Sequence, residues 1–476
     1  MAARAVAANG LPGYESSSVY EAIRENLWMH FTQMAQFKDP ATRPMVIVRG
    51  EGSTVWDDQG NAYLDGLAGL YSVNAGYGRR EIIDAMAAQL EAIPYVNGFA
   101  FASVPAAVLA DRLADLAPVG GNARVFFTSG GSEAVESALK LAKQYQLKRG
   151  FPYRYKTISR RGAYHGTTMG ALSVNGLAGL RNEFGPLVPG ARHVPMSHRY
   201  RCPHCDDPDT CTHDGYAEVE RLVEFEGPDT IAAIIMEPVQ NSGGCIPPAS
   251  MDYFKKIRKL CDETGILMIM DEVICGFGRL GAWFGSQVFG VEPDLVTTAK
   301  GITSSYAPLG AVLVRKSVAD IFMEGTPFMH GITFGGHPAA AAAAIANIDI
   351  MEREQLPERA REIGAYLRKE LEAALGDHPY VGDIRGVGLF QGIELVRNRK
   401  TKERPKDTGL MLWMTNELRR QGILLRNDER IDPTTQLSPP LVITREECDR
   451  VVSTLRETID KIGQRWGAIG TVHAAR

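Results

Sequence analysis

Between about Gly76 and Lys316, short apolar or β-branched runs alternate with helical patterns, and no other feature restricts the fold of this chain as strongly. Arg124-Val125-Phe126-Phe127-Thr128 reads as a buried strand, followed by a helix over Glu133 to Leu147. Further strands are expected at Ile231 to Met236, Ile266 to Met270, Leu295 to Thr298 and Gly310 to Val314. A strand that is apolar along its whole length has to be covered on both faces, and the intervening helices can do that. The expectation is an α/β fold whose large domain, residues 76–336, holds a mostly parallel sheet between helices.

After His337 the texture changes. Helices are expected over Pro338 to Glu354 and Leu356 to Leu375, then glycine-punctuated strands around Val381 to Leu395. A helix from Gly409 to Arg420, a strand from Ile423 to Arg426 and a final helix from Arg445 to Trp466 complete the pattern. This predicts a smaller α+β domain over residues 337–476. Residues 1–75, with an amphipathic segment from Val19 to Met34 and a turn around Pro40 and Pro44, are expected to join it.

A chain of 476 residues exceeds what one core usually serves. Its net charge of −4 leaves no electrostatic footprint for nucleic acid. The opening residues lack the sustained apolar stretch of a secretory signal. The run Pro338 to Ile350 is mostly alanine and too short to cross a bilayer. Seven cysteines in so long a chain make no disulfide framework, which points to a reducing, cytoplasmic setting.

Ligands of open α/β sheets collect where strands end and helices begin. Four stretches sit at such ends. In Thr128-Ser129-Gly130-Gly131-Ser132-Glu133 the glycines admit an anion close to the backbone, the helix start favours a phosphate, and Ser132 adds a hydroxyl. Alone, it is equally a glycine turn with Ser132 as a helix cap. Met270-Asp271-Glu272-Val273 closes an apolar strand with a carboxylate that needs a cationic or hydrogen-bonding partner. A protonated pyridine nitrogen would serve, as would a helix start. In Thr297-Thr298-Ala299-Lys300-Gly301 a lysine follows another apolar strand, where a low-dielectric crevice favours the neutral, nucleophilic amine. Taken singly, such a lysine is a solvated surface group. Tyr164-His165-Gly166-Thr167-Thr168 offers a ring to stack on a flat ligand, or an ordinary packed aromatic. Together they supply a phosphate cradle, a ring carboxylate, a stacking aromatic and a Schiff-base lysine, the parts of a pyridoxal-phosphate site.

The runs Ser129-Gly130-Gly131-Ser132-Glu133-Ala134, Met236-Glu237-Pro238-Val239-Gln240, Asp271-Glu272-Val273 with Gly276-Phe277-Gly278-Arg279, Lys300-Gly301, and His330-Gly331-Ile332-Thr333-Phe334-Gly335-Gly336-His337-Pro338 resemble class III aminotransferases. Within that family the resemblance is to the ω-amino-acid and amine:pyruvate transaminases, and it extends from Leu64-Asp65-Gly66 to Ser438-Pro439-Pro440. It implies the fold type I of pyridoxal-phosphate-dependent transferases. It also implies that Lys300 bonds the cofactor aldehyde and shuttles a proton, while Asp271 pairs with the pyridinium nitrogen. Tyr164 and Val273 would sandwich the ring, with Gln240 near its hydroxyl and Glu237 positioning groups around Asp271 and His165. Gly131 and Ser132 would hold the phosphate, with Thr333 reaching it from the neighbouring subunit, so the resemblance implies a homodimer with shared sites. The implied activity is ping-pong transfer of an amino group from an ω-amino acid or primary amine (β-alanine, taurine, a diamine) to a keto acid, with pyruvate the expected acceptor.

Substrate choice is less legible. Arg426 matches the family arginine that swings in to bind a keto-acid carboxylate, for which a planar guanidinium is suited. A surface arginine after a strand is the plainer reading. Tyr71 stands where many amine transaminases carry tryptophan, and its hydroxyl would favour polar donors; Trp28 and Phe101 are further candidates for the cleft. Core packing explains Trp28 and Phe101 at least equally well. Cys202-Pro203-His204-Cys205, followed by Cys211 and His213, could ligate zinc tetrahedrally. The crowding of such a site favours a cysteine-rich surface loop, and no metal is assigned. Two rival functions remain at this level: an aminomutase of the glutamate-1-semialdehyde type, and a non-catalytic binding protein on the same fold.

Overall fold

The computed structural model describes residues 16–39, 42–205, 207–241 and 243–466. The opening residues and Pro40 lie outside the described residues. Where one amphipathic segment was expected from Val19 to Met34, the chain is helical over Ser16–Glu25 and makes a separate short turn of helix over Met34–Phe37. Three strands follow, Ile47–Glu51 (β1), Thr54–Asp57 (β2) and Ala62–Asp65 (β3), paired antiparallel in that order.

The central sheet is built from Ala123–Thr128 (β4), Lys156–Arg160 (β5), Ala191–Val194 (β6), Ile231–Met236 (β7), Leu267–Asp271 (β8), Leu295–Thr298 (β9) and Gly310–Arg315 (β10). Its order is β4-β10-β9-β8-β7-β5-β6. From β9 to β6 every pairing is parallel, and β10 alone runs against both of its neighbours. Alternation of side chains along a strand explains the unbroken apolar runs. In β7, Ala233 and Ile235 pack with Ala134, Val135 and Leu141 of the helix Gly131–Lys148. Ile234 and Met236 pack on the other face with Phe254 and Ile257 of the helix Tyr253–Thr264.

The C-terminal half contributes Val381–Val387 (β11), Phe390–Leu395 (β12), Ile423–Leu424 (β13), Arg426–Asp428 (β14) and Thr434–Leu437 (β15). β11, β12, β15 and β14 form an antiparallel sheet in that order. The strand expected from Ile423 to Arg426 is two strands. β13 pairs in parallel with β3, Ile423 opposite Leu64, whereas β14 pairs with β15, so the chain changes sheets at the buried Leu425. The alanine-rich helix Pro338–Arg353 is largely buried, and no helix among the described residues is long and apolar enough to cross a membrane.

Candidate active site

Because β7, β8 and β9 are parallel, their C-terminal ends lie along one edge. Glu237 follows β7, Asp271 ends β8, and Lys300 comes two residues after β9. Asp271 is paired with Thr297 of β9 in the ladder. The three side chains line one cavity of about 550 Å³, counted out to its open mouth, together with Tyr164, Val273 and Ser132. Five stretches of sequence between residues 131 and 300 are thus brought to one place by sheet order.

Asp271 is held rigidly for a buried carboxylate. Its Oδ2 lies 2.7 Å from Nδ1 of His165, and Oδ1 accepts from the Thr297 hydroxyl at 3.1 Å and the Val273 N–H at 3.2 Å. His165 is itself buried, and its backbone N–H donates to Oδ1 of Asn175. Glu237 accepts from the Tyr164 N–H at 3.1 Å through Oε1, while its Oε2 lies 3.5 Å from the Arg160 guanidinium. Burial raises the Glu237 pKa against the pull of His165 and Arg160. Lys300 has a positive φ of 50°, a backbone conformation that is uncommon outside glycine and that turns its side chain into the cavity. Burial lowers the pKa of its amine, and the Asp271 carboxylate opposes that shift only in part.

At the far end of the cavity, the helix Gly131–Lys148 opens at an extended Gly130 with no side-chain cap, so its first turn of N–H groups faces an anion site. Close packing keeps that turn bare. A Cβ at Gly131 would stand 2.9 Å from Val273, and one at Gly166, whose φ is +115°, would strike Ser132. The Ser132 hydroxyl accepts the Thr167 N–H at 3.2 Å and retains its own proton to donate.

The description "aminotransferase class-III" matches residues 36–459. A putrescine–pyruvate aminotransferase of Pseudomonas aeruginosa is 39% identical, over 90% of this chain and 93% of its own length. A taurine–pyruvate aminotransferase of Bilophila wadsworthia is 36% identical, over 95% of this chain and 99% of its own. The crystal structure of an (S)-enantioselective omega-transaminase from Thermomicrobium roseum is similar with a TM-score of 0.88 and 41% identity, covering 94% of this chain and 99% of that one.

The chain belongs to the class III aminotransferases.

Members of this family work with pyridoxal phosphate. The donor set of this aminotransferase fits that group: an uncapped helix start for a phosphate, an amine for an aldehyde, and a fixed carboxylate for a ring N–H. No described residue takes a hydrogen bond from the Lys300 amine, which is free to react.

Other expected residues of the aminotransferase lie elsewhere. Gln240 is buried and does not line the cavity, its Nε2 donating to the Arg161 carbonyl at 3.0 Å. Tyr71 is buried, packs edge-on against Phe390 and donates its hydroxyl to Gln436; it does not line the cavity. Trp28, 85% exposed, and Phe101, 67% exposed, are also outside it. Arg426 rests on Asp428 at 3.0 Å, with its guanidinium 5.9 Å from the Tyr71 ring. Arg430 binds the same carboxylate and was missed in the sequence, where nothing marks one arginine above another. Both guanidinium charges oppose the rise that burial gives the Tyr164 hydroxyl pKa. Thr333 is exposed on another face, and its carbonyl accepts the Tyr95 hydroxyl at 2.9 Å. Asn241 lines the cavity unannounced by any motif.

Proposed function

We propose that this chain moves the amino group of an ω-amino acid, diamine or other primary amine to a keto acid, with pyruvate as acceptor, and that it works as a homodimer. The observation that carries the reading is Lys300 and Asp271 facing one cavity from the ends of adjacent parallel strands. Bound there, pyridoxal phosphate supplies an aldehyde that exchanges partners with amines and a ring that spreads the charge left when a carbon loses its proton. The side chains do the rest. Lys300, its proton loosened by burial, acts as the nucleophilic amine and then takes and returns the proton at the amine-bearing carbon. Asp271, aligned by His165, Thr297 and the Val273 N–H, keeps a proton on the ring nitrogen. Tyr164 and Val273, which line the cavity, would cover the ring faces, and Gly131 and Ser132 would bind the phosphate.

A keto-acid carboxylate is received by Arg426, released from Asp428, with Arg430 as a second cation. Once those arginines return to Asp428, a donor without a carboxylate meets no unpaired guanidinium, which lets one pocket serve both substrates. Relatives named for putrescine and for taurine support this donor class. Thr333 lies on a face where Phe99, Phe101, Met329 and Phe334 are each more than half exposed, a surface that suits a second copy. Seven free thiols suit a reducing cytoplasm.

A donor screen with pyruvate fixed, covering β-alanine, taurine, putrescine, γ-aminobutyrate and phenylethylamine, tests the reading by alanine formation. At least one of these amines is expected to react and to leave alanine. Reaction of ornithine or glutamate alone would refute the donor class. Lys300→Ala is expected to remove the cofactor's covalent absorption band together with the activity.

A further inference from the structure

The cysteines that the transfer reaction does not use converge in space. In the loop between β6 and the helix Tyr216–Glu226, the sulfurs of Cys202, Cys205 and Cys211 lie within 4.8 Å of one another. Nδ1 of His213 stands 3.6 Å from the Cys202 sulfur. The other ring nitrogen of His213, Nε2, is 3.1 Å from Oε1 of Glu218. A carboxylate in that place takes the Nε2 proton as a hydrogen bond, so Nδ1 is left with its lone pair toward the sulfurs. A carboxylate behind the imidazole is the arrangement that orients metal-binding histidines.

We propose that Cys202, Cys205, Cys211 and His213 bind one structural zinc ion. Three thiolates and an imidazole are a soft donor set that selects zinc among common divalent ions. Four protein ligands fill a tetrahedral shell and leave no position for substrate, so the ion holds the loop and does no chemistry. On binding, three thiol protons leave for solvent and three sulfur–zinc bonds replace them. The resulting single negative charge faces Arg199, whose guanidinium is 3.4 Å from the Cys211 carbonyl. His204 is excluded from the shell. Its side chain is 53% exposed, its ring lies 4.2 Å from that of His213, and its Nε2 turns to Glu218 at 3.4 Å.

The closed loop has something to hold. Arg201, between these ligands and β6, donates to Glu394 of β12 at 2.6 Å and lies 3.0 Å from Asp432, which precedes β15. Both carboxylates are buried, and Arg201 shares Glu394 with Arg385 of β11 and Asp432 with Arg404. The ion therefore clamps a large-sheet connection onto the C-terminal sheet that carries Arg426.

Full-length protein purified under a thiol reductant from zinc-supplemented cells is expected to retain one zinc per chain through gel filtration, by plasma mass spectrometry. After displacement of the metal with a mercurial and its removal by thiol, cobalt added to the chain is expected to give strong sulfur-to-metal charge-transfer absorption with tetrahedral visible bands. Cys205→Ser is expected to lose the metal and His204→Ala to keep it. If Cys205→Ser does not fold, the cobalt spectrum of the unaltered chain decides. A stripped chain that binds no cobalt overturns the proposal. So does a Cys205–Cys211 disulfide in the reduced preparation, or metal lost with His204→Ala and kept with Cys205→Ser.

Discussion

Lys300 sits where two effects compete for its proton. Burial pulls the amine pKa down, the Asp271 carboxylate pushes it up, and burial prevails. The neutral, reactive amine is the deprotonated form, so capture of added cofactor by the empty chain is expected to speed up as pH rises through that lowered pKa. The midpoint falls below the ordinary lysine value of about 10.4. Asp271→Asn removes the opposing charge and is expected to move the midpoint lower still, while turnover drops roughly 100-fold or more because the ring loses its fixed counter-charge. Absorbance followed during reconstitution at a series of pH values checks the first part; a midpoint that rises in Asp271→Asn would falsify it. Arg426 supplies a second expectation. Arg426→Ala is expected to raise the KM for pyruvate by about 10- to 100-fold, the worth of a charge-assisted hydrogen bond, and to leave the half-reaction of a donor without an acid group, such as putrescine, unchanged. Single-turnover kinetics of the two half-reactions separate these. Lys300 and Asp271 were legible in the sequence because each stands at the end of an apolar strand, where position along the chain and position in space coincide, whereas Glu237 came from the family resemblance. Tyr71 and Gln240 were not, because whether a side chain faces a cavity or the packing behind it is decided by neighbours far away in sequence, Gln436 and Arg161 in these two cases.

Among the elements, β7, β8, β9 and β10 could be read in advance because they are buried on both faces, where only an unbroken apolar run survives. β4 was read as a buried strand too, but only Thr128 in it is buried. β5 and β6 carry lysine, arginine and histidine and escaped notice. Arg160 is 1% exposed within β5, an option open to it because its guanidinium donates to the Glu237 carbonyl at 2.5 Å and faces the Glu237 carboxylate. A partner found only in the folded chain thus licenses a charge that the sequence alone argues against. The reversed strand β10 has its own task. Gly310 begins it beside the end of β4, and a Cβ there would stand 2.6 Å from the Gly130 carbonyl, which accepts the Ala134 N–H of the phosphate-facing helix. Gly310→Ala is expected to displace that helix start, costing about 1–3 kcal/mol in stability through overpacking. Cofactor affinity should fall about 10-fold as the N–H groups lose their aim. Thermal unfolding and cofactor retention, measured together, check it; unchanged affinity would mean that the helix start does not hold the phosphate.

The whole molecule leaves one demand unmet. Its cavity has a lysine, a carboxylate and a helix start, but Thr333 lies on a different face among Phe99, Phe101 and Phe334. Large aromatic side chains left in water forgo about 1.5–3 kcal/mol each, which is a reason for two copies to cover one another there. If that face is the dimer contact, a charge inside it acts on assembly first and on the site second. Phe101→Asp, remote from the cavity lining, is expected to weaken dimerisation more than about 10-fold and to give monomers at micromolar concentration by light scattering. Those monomers should keep the fold, by circular dichroism, and release the cofactor on gel filtration, because the second copy's Thr333 is gone. Thr333→Ala supplies the contrast: dimers by light scattering, with cofactor binding weakened by about the worth of one hydrogen bond to a charged group, some 10-fold. Monomers of Phe101→Asp that hold cofactor and turn over normally would show instead that each cavity is complete within a single chain.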